Sequence, residues 1–504
     1  MSFSITAIAF NGASAFASAA ISVGAYGAQC DGVTDDTSAI QAALDAVAAS
    51  GGGTVTLPGS TCLLNSFHPS SHPWVFYNLH LPSGVTLQGA SGSKLLQGLG
   101  GRQNIGNVSG ATWIENTVVA VGNSYATIEF QNSGNGGFYA LQAMTVGSPS
   151  VRLTSAAQAA NFTVGDYVAI YEYTSGDVLP AQMSQVTGVN AASGDLTLAD
   201  SVIRAFATPS IANVTSLAAH DIAINNVIVQ GAVPLAVTET FNFGAGNNQF
   251  LSDTSIGRGN IYELELNTVE HFIFAGNTIA AINGGYIHQE LCQRDSQNGT
   301  WTGNTFQDTA VGFGEYAANI NLTNNHIYLH PDGTGPDGVS FGGMNILFSG
   351  NDVHTIGNQN DYSGMGSIVL DIYATLNTYA YDGNIQITNN TIQCVADGNN
   401  CLMIVSHATV VSGNTITATG SATGVYVADA FATVTNNKIQ IGQGTGILMY
   451  TPPFIVATVS GNTLSGTGPF GIYVGSPPAP SAGGYNIYGN SITGFTTAMS
   501  IDPH

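Results

Sequence analysis

Phe274-Ala275-Gly276-Asn277-Thr278-Ile279 is the stretch that decides the fold, because its pattern returns until the chain ends. Gly or Asn, then Asn, any residue and an apolar residue recur at Gly303-Asn304-Thr305-Phe306, Asn324-Asn325-His326-Ile327 and Gly350-Asn351-Asp352-Val353. They come again at Asn389-Asn390-Thr391-Ile392, Gly413-Asn414-Thr415-Ile416, Asn436-Asn437-Lys438-Ile439, Gly461-Asn462-Thr463-Leu464 and Gly489-Asn490-Ser491-Ile492. Successive second asparagines are 27, 21, 26, 39, 24, 23, 25 and 28 residues apart. A period in this range marks a stacked array, and the repeat is rich in Val, Ile and Thr with no long helical pattern. Its unit is therefore a coil of strands.

Each coil must turn a corner between two strands. Asn tolerates left-handed backbone and can bond its own turn. Stacking places Asn above Asn, where the amides can form a ladder, and the apolar residue two places on points inward. The expected class is all-β, a right-handed parallel β-helix. An antiparallel sandwich or propeller is the competing reading, but a propeller period is longer and its Asn would sit in hairpin dipeptides.

Composition narrows the function. The net charge is −23 with only seven Lys and Arg, so the basic phosphate contacts that nucleic acid needs are missing. A polyuronate would also meet a repulsive field unless a local basic cleft or calcium reversed it. No apolar run reaches the roughly 18 residues of a membrane helix, so no membrane partner is expected. Cys30 with Cys62, and Cys394 with Cys401, can pair in an oxidising compartment or remain buried thiols. Residues 1–23 are apolar and Ala-rich without a basic start, and read as an arm or a signal-like segment. An extracellular or secreted location is expected, mainly from the low charge.

Residues 24–504 read as one β-helix domain. Its start holds the sharpest local motif, Tyr26-Gly27-Ala28-Gln29-Cys30-Asp31-Gly32-Val33-Thr34-Asp35-Asp36-Thr37-Ser38-Ala39-Ile40, followed by Gly51-Gly52-Gly53-Thr54-Val55-Thr56-Leu57. Thr34 or Asp35 can cap a helix whose apolar stripe is Ile40, Ala43, Leu44 and Val47. Glycines 51–53 stop it before a strand. Such a helix would cover the open end of the apolar stack. This segment resembles the amino-terminal signature of the pectate-lyase-like, polygalacturonase-related superfamily of β-helix proteins. The resemblance implies a capping helix, structural rather than catalytic roles for Asp31, Asp35 and Asp36, and no single reaction. Residues 151–206 break the coil pattern and read as a small inserted antiparallel β subdomain, which resembles an accessory recurrent in β-helix enzymes.

Counting fourteen residues back from the repeat Asn gives Glu263, Glu290 and Asp337, and Asp308 joins them if one residue is inserted in its coil. Stacked coils lie about 4.8 Å apart, so these acids form a column in which at least one pKa should rise. Glycoside hydrolysis needs two carboxyls about 5–5.5 Å apart for retention or about 6.5–9.5 Å for inversion, which adjacent or alternate coils supply. Glu290, Asp308 and Asp337 are the candidate catalytic acids. Glu263, His288, Arg294, Glu315, His330, Asp361, Trp301 and Tyr316 are candidate substrate contacts, with His326, Tyr328 and His354 in the same zone. A solvated acidic face or a calcium ladder would use the same acids.

Asp337-Gly338-Val339 resembles the Asp-Gly-apolar element of polygalacturonases, but no double Asp, Gly-His-Gly or Arg-X-Lys follows, which argues against galacturonate. The first reading is a glycoside hydrolase on a neutral or weakly charged polysaccharide or oligosaccharide, without a cofactor. A polysaccharide lyase on a uronate glycan, with Arg294, His288 or His330 as the base and calcium held by Asp clusters, is the second. A glycan-binding surface or tailspike-like protein is the third. Either a monomer or a homotrimer fits.

Overall fold

The structure is a computed structural model. It describes residues 20–69, 75–98, 115–122, 138–174, 177–178, 182–206, 208–253, 264–282, 292–294, 296–308, 311–313, 317–329, 339–341, 343–356, 368–370, 383–395, 400–404, 408–427, 431–450, 457–475 and 484–502. Among the described residues three long sheets of 18, 13 and 8 strands run along the chain. Apart from the short pair His68–Pro69 and Val75–Leu81, their pairings are parallel. One coil gives a strand to each sheet: Val311–Phe313 to the third, Ala318–Thr323 to the first and His326–Leu329 to the second. The next coil repeats this with Val339–Phe341, Met344–Ser349 and Asp352–Ile356. The architecture is the expected right-handed parallel β-helix.

The repeat Asn stands between the first and second sheets. Asn277 Nδ2 donates to Asn304 Oδ1 at 3.0 Å and to the carbonyl of Ala245 at 2.9 Å, and its backbone N–H donates to the same Oδ1 at 2.9 Å. The pattern continues through Asn325, Asn351, Asn390, Asn414, Asn437 and Asn462 to Asn490, and begins one coil earlier than the sequence reading placed it, at Asn248. The left-handed corner falls on the residue before, with φ of +65° at Gly276 and +56° at Asn324. Two tasks first given to one Asn are thus divided between two neighbours. The apolar residue two places on does point inward: Ile279, Phe306, Ile327, Val353 and Ile392 stack in register with at most 1% exposure. Each such side chain contributes about 1.5–3 kcal/mol on leaving water.

Helix α1, Thr37–Ala49, covers the N-terminal end with Ile40, Ala43, Leu44 and Val47 buried. Its cap differs from the expectation. Asp36 occupies the N-cap position, but its carboxylate accepts from the N–H groups of Gln29 and Cys30. Asp35 accepts from the Thr37 N–H and also from Asn65 N–H and Ser66 Oγ, tying the helix to the second coil. Disulfides join Cys30 to Cys62 and Cys394 to Cys401.

A separate antiparallel sheet spans Tyr139–Ala140 to Pro209–Asn213 and has its own core of Leu153, Phe162, Val168, Ile170, Leu196 and Ile211. Its other face rests on the helix wall, where the Tyr167 and Phe241 rings lie 4.3 Å apart. Among the described residues no helix is long and apolar enough to cross a membrane.

Candidate functional site

On the second sheet, residues one and three places after the ladder Asn face outward, because side chains alternate along a strand. In five of the ten coils both positions are Thr, Gln or Ser, and Leu251, Ala280 and Lys438 take one of them in three others. In two adjacent coils they are His326 with Tyr328 and Asp352 with His354, paired His326↔Asp352 and Tyr328↔His354. Asp352 bridges the two imidazoles: Oδ1 is 2.8 Å from His354 Nε2 and Oδ2 is 3.6 Å from His326 Nδ1. The Tyr328 ring lies between them, 6.3 Å from His326 at an interplanar angle of 2° and 5.2 Å from His354. Tyr328 is 40% exposed. Asp308 adjoins this platform, since its N–H donates to the Tyr328 carbonyl at 2.8 Å. Its backbone is left-handed, with φ of +55°.

A second group of titratable side chains sits where the antiparallel insertion meets the first sheet. Asp200 follows the strand Asp195–Leu198 of the insertion, and Glu270 and His271 lie in the strand Leu264–Ala275. His271 Nε2 is 2.9 Å from Asp200 Oδ1 and 3.4 Å from Glu270 Oε1. Glu270 is wholly buried. Burial pushes its carboxyl up to about 8, against the pull of the neighbouring His271. The hydrogen bond to Asp200 lifts His271 to about 8 as well, although its partial burial acts the other way. Asn298 Nδ2 donates to Glu270 Oε1, and Ser184 Oγ donates to Asp200.

Of the residues expected from sequence, Glu263, His288, Glu290, Glu315, Tyr316, His330, Asp337 and Asp361 lie outside the described residues. Arg294 ends the strand Cys292–Arg294, in register with Asn267. The pairing Val311↔Val339 is the register that the one-residue insertion after Asp308 requires. Trp301 is corrected: it is fully buried and stacks on Phe274 with ring centroids 4.0 Å apart, so it is core and not a sugar platform. It lies three places before Asn304, the inward position that Phe274 and Leu322 also occupy. The sequence reading missed Asp352, Asp200, Glu270 and His271. Asp352 had a signal, a carboxylate at a position where Thr recurs in five coils.

A family model described as a right handed beta helix region matches residues 335–492. No curated protein matches the chain. The surface protein and adhesin PfbA of Streptococcus pneumoniae is 15% identical, with 96% of this chain and 99% of that chain covered and a TM-score of 0.50. The Gp54 tailspike of Acinetobacter baumannii bacteriophage AP22 is 10% identical, with 96% and 76% covered and a TM-score of 0.51. At these identities the likeness is one of fold. The coil register, the asparagine ladder and these matches agree that the chain is a right-handed parallel β-helix protein.

Proposed function

We propose that the protein acts on glycans as a glycoside hydrolase, with a neutral or weakly charged polysaccharide laid across the outer face of the second sheet. The observation that carries this reading is the exposed Tyr328 ring between His326 and His354, braced by Asp352. A flat aromatic face packs against a sugar ring, while imidazole and carboxylate groups beside it meet the hydroxyls. Asp308 stands next to that platform and is one of the two carboxyls that hydrolysis requires; Glu290 or Asp337 is the proposed partner. The formal charge of −23 favours a neutral chain over a polyuronate. The tailspike of similar fold is known in complex with a capsular saccharide. Two disulfides suit the extracellular location in which such a glycan is met.

A second reading is binding without cleavage, as an adhesin, because a stacking platform works without a carboxyl pair. The purified chain is incubated with neutral and uronate glycans, and reducing ends and ultraviolet absorbance are followed together. Reducing ends without absorbance are expected. Asp308→Asn should lower kcat by roughly two orders of magnitude or more, and Tyr328→Ala should raise KM about tenfold. Absorbance would mean a lyase. No turnover, with glycan retention that depends on Tyr328, would favour the adhesin, and no retention at all would sink both readings.

A further inference from the structure

We propose that Asp200, Glu270 and His271 form a binding site for one divalent transition-metal ion, with zinc the best match, at the seam between the antiparallel insertion and the coil wall. The site is independent of the glycan platform, which lies on another sheet. The donor set is one imidazole nitrogen and two carboxylates, a combination that zinc accepts. One ligand atom from each residue lies within 4.8 Å of the others. The separations from His271 Nε2, 2.9 Å to Asp200 and 3.4 Å to Glu270, bracket the edge of about 3.3 Å expected of a tetrahedron with metal–ligand bonds of about 2.0 Å.

The second observation is Glu270 itself. Its side chain has no exposure, and Oε2 has no hydrogen-bond partner among the described residues. A buried carboxylate oxygen without a donor is costly, and a cation at the cluster would satisfy it. The carboxylates are already oriented from behind, Glu270 by the Asn298 amide and Asp200 by the Ser184 hydroxyl, as ligating carboxylates commonly are. His271 keeps 44% exposure, which leaves a solvent side for a water ligand. The backbone singles out the same coil. Six residues before the ladder Asn the chain is left-handed at eight coils from Asn242 to Phe431, and from Asn242 to Asn384 that position is Asn except at His271. On binding, the ion displaces the proton that His271 shares with its acidic neighbours, and it clasps the insertion to the coil.

The test uses the full chain, stripped with a chelator, dialysed and titrated with zinc chloride by calorimetry, with bound metal counted by elemental analysis. One zinc per chain is expected, with a melting temperature that rises on loading. Asp200→Asn and Glu270→Gln should each weaken binding at least about tenfold, and His271→Ala should remove it. Asp200 lies at the edge of the seam, so its variant reports even if Glu270→Gln folds poorly. The proposal is overturned if the wild type retains no zinc, or if His271→Ala and Asp200→Asn retain it as tightly as the wild type.

Discussion

Two columns of asparagine run along this molecule, and they do different things with the same side chain. The inner column, Asn248 to Asn490, is buried as far as Asn462, and along it each amide from Asn248 to Asn462 serves its neighbour in the next coil, while every Nδ2 also serves a backbone carbonyl. The outer column, Asn298, Asn319, Asn345 and Asn384, is half-buried or exposed and makes one amide bond per step. It ends on a carboxylate, Glu270. The inner column holds the coils together. The outer one carries a hydrogen-bond chain to the charged seam. Burial, rather than residue type, decides which task an amide performs.

The largest expected effect comes from breaking the inner column at its middle. Asn351→Ala strands the N–H and an amide proton of Asn325, and removes the donor to Leu322 O and Asn390 Oδ1. At about 1–3 kcal/mol for each stranded buried group, the loss should be about 3–5 kcal/mol in denaturant titration. A loss below about 1 kcal/mol would mean that water enters the column and that the contrast with the outer one is false.

The inner column was legible because one residue type recurs at a period, and Asn247-Asn248-Gln249-Phe250 carried the same signature one coil earlier. The core position of Trp301 was equally readable from its place three residues before Asn304, but the ring was weighed by its chemistry and not by its register. The outer column was harder to see. Its residues vary, with His271, Ala408 and Phe431 at equivalent places, and only the shared positive φ unites them. The seam was illegible for a plainer reason. Asp200 reaches Glu270 and His271 through the docking of an insertion, a contact that no spacing in the chain encodes.

Gly413→Ala tests how closely the corners are packed. Its φ is +68°, and an added Cβ would stand 2.6 Å from Asn389 Oδ1. Left-handed Ala costs about 1–2 kcal/mol before that clash is added. The double variant with Asn389→Gly should recover the part due to the clash and leave the backbone part. Strict additivity in this cycle would mean that the two corners do not touch.

The cap adds a network that titrates, which neither amide column does. Burial alone would raise the Asp35 pKa, but hydrogen bonds from Ser66, Thr37 and Asn65 outweigh it and hold the carboxyl below its ordinary 3.8. A depressed folded pKa means stability that is present above about pH 4 and lost as pH falls below it. Asp35 is exposed and solvent screens part of this, so Asp35→Asn should cost only about 1 kcal/mol at pH 7, and the gap to the wild type should close towards pH 3. A gap that stays constant over that range would assign the effect to geometry and not to charge.

The smallest effect belongs to the outer column, and it sharpens the contrast most. Asn345 sits at φ +57°, donates to Asn319 Oδ1 and accepts from Asn384. Replacement by Ala would confound the amide with left-handed strain, so Gly is the informative change, since it adopts this backbone freely. Water can reach both stranded partners, so each recovers most of its hydrogen bond. Asn345→Gly should stay within about 1 kcal/mol of the wild type, against several for Asn351→Ala one strand-corner away. A comparable loss at both positions would show that the outer amides also bear the stack, and that the chain of bonds reaching Glu270 is part of what keeps the coils in register.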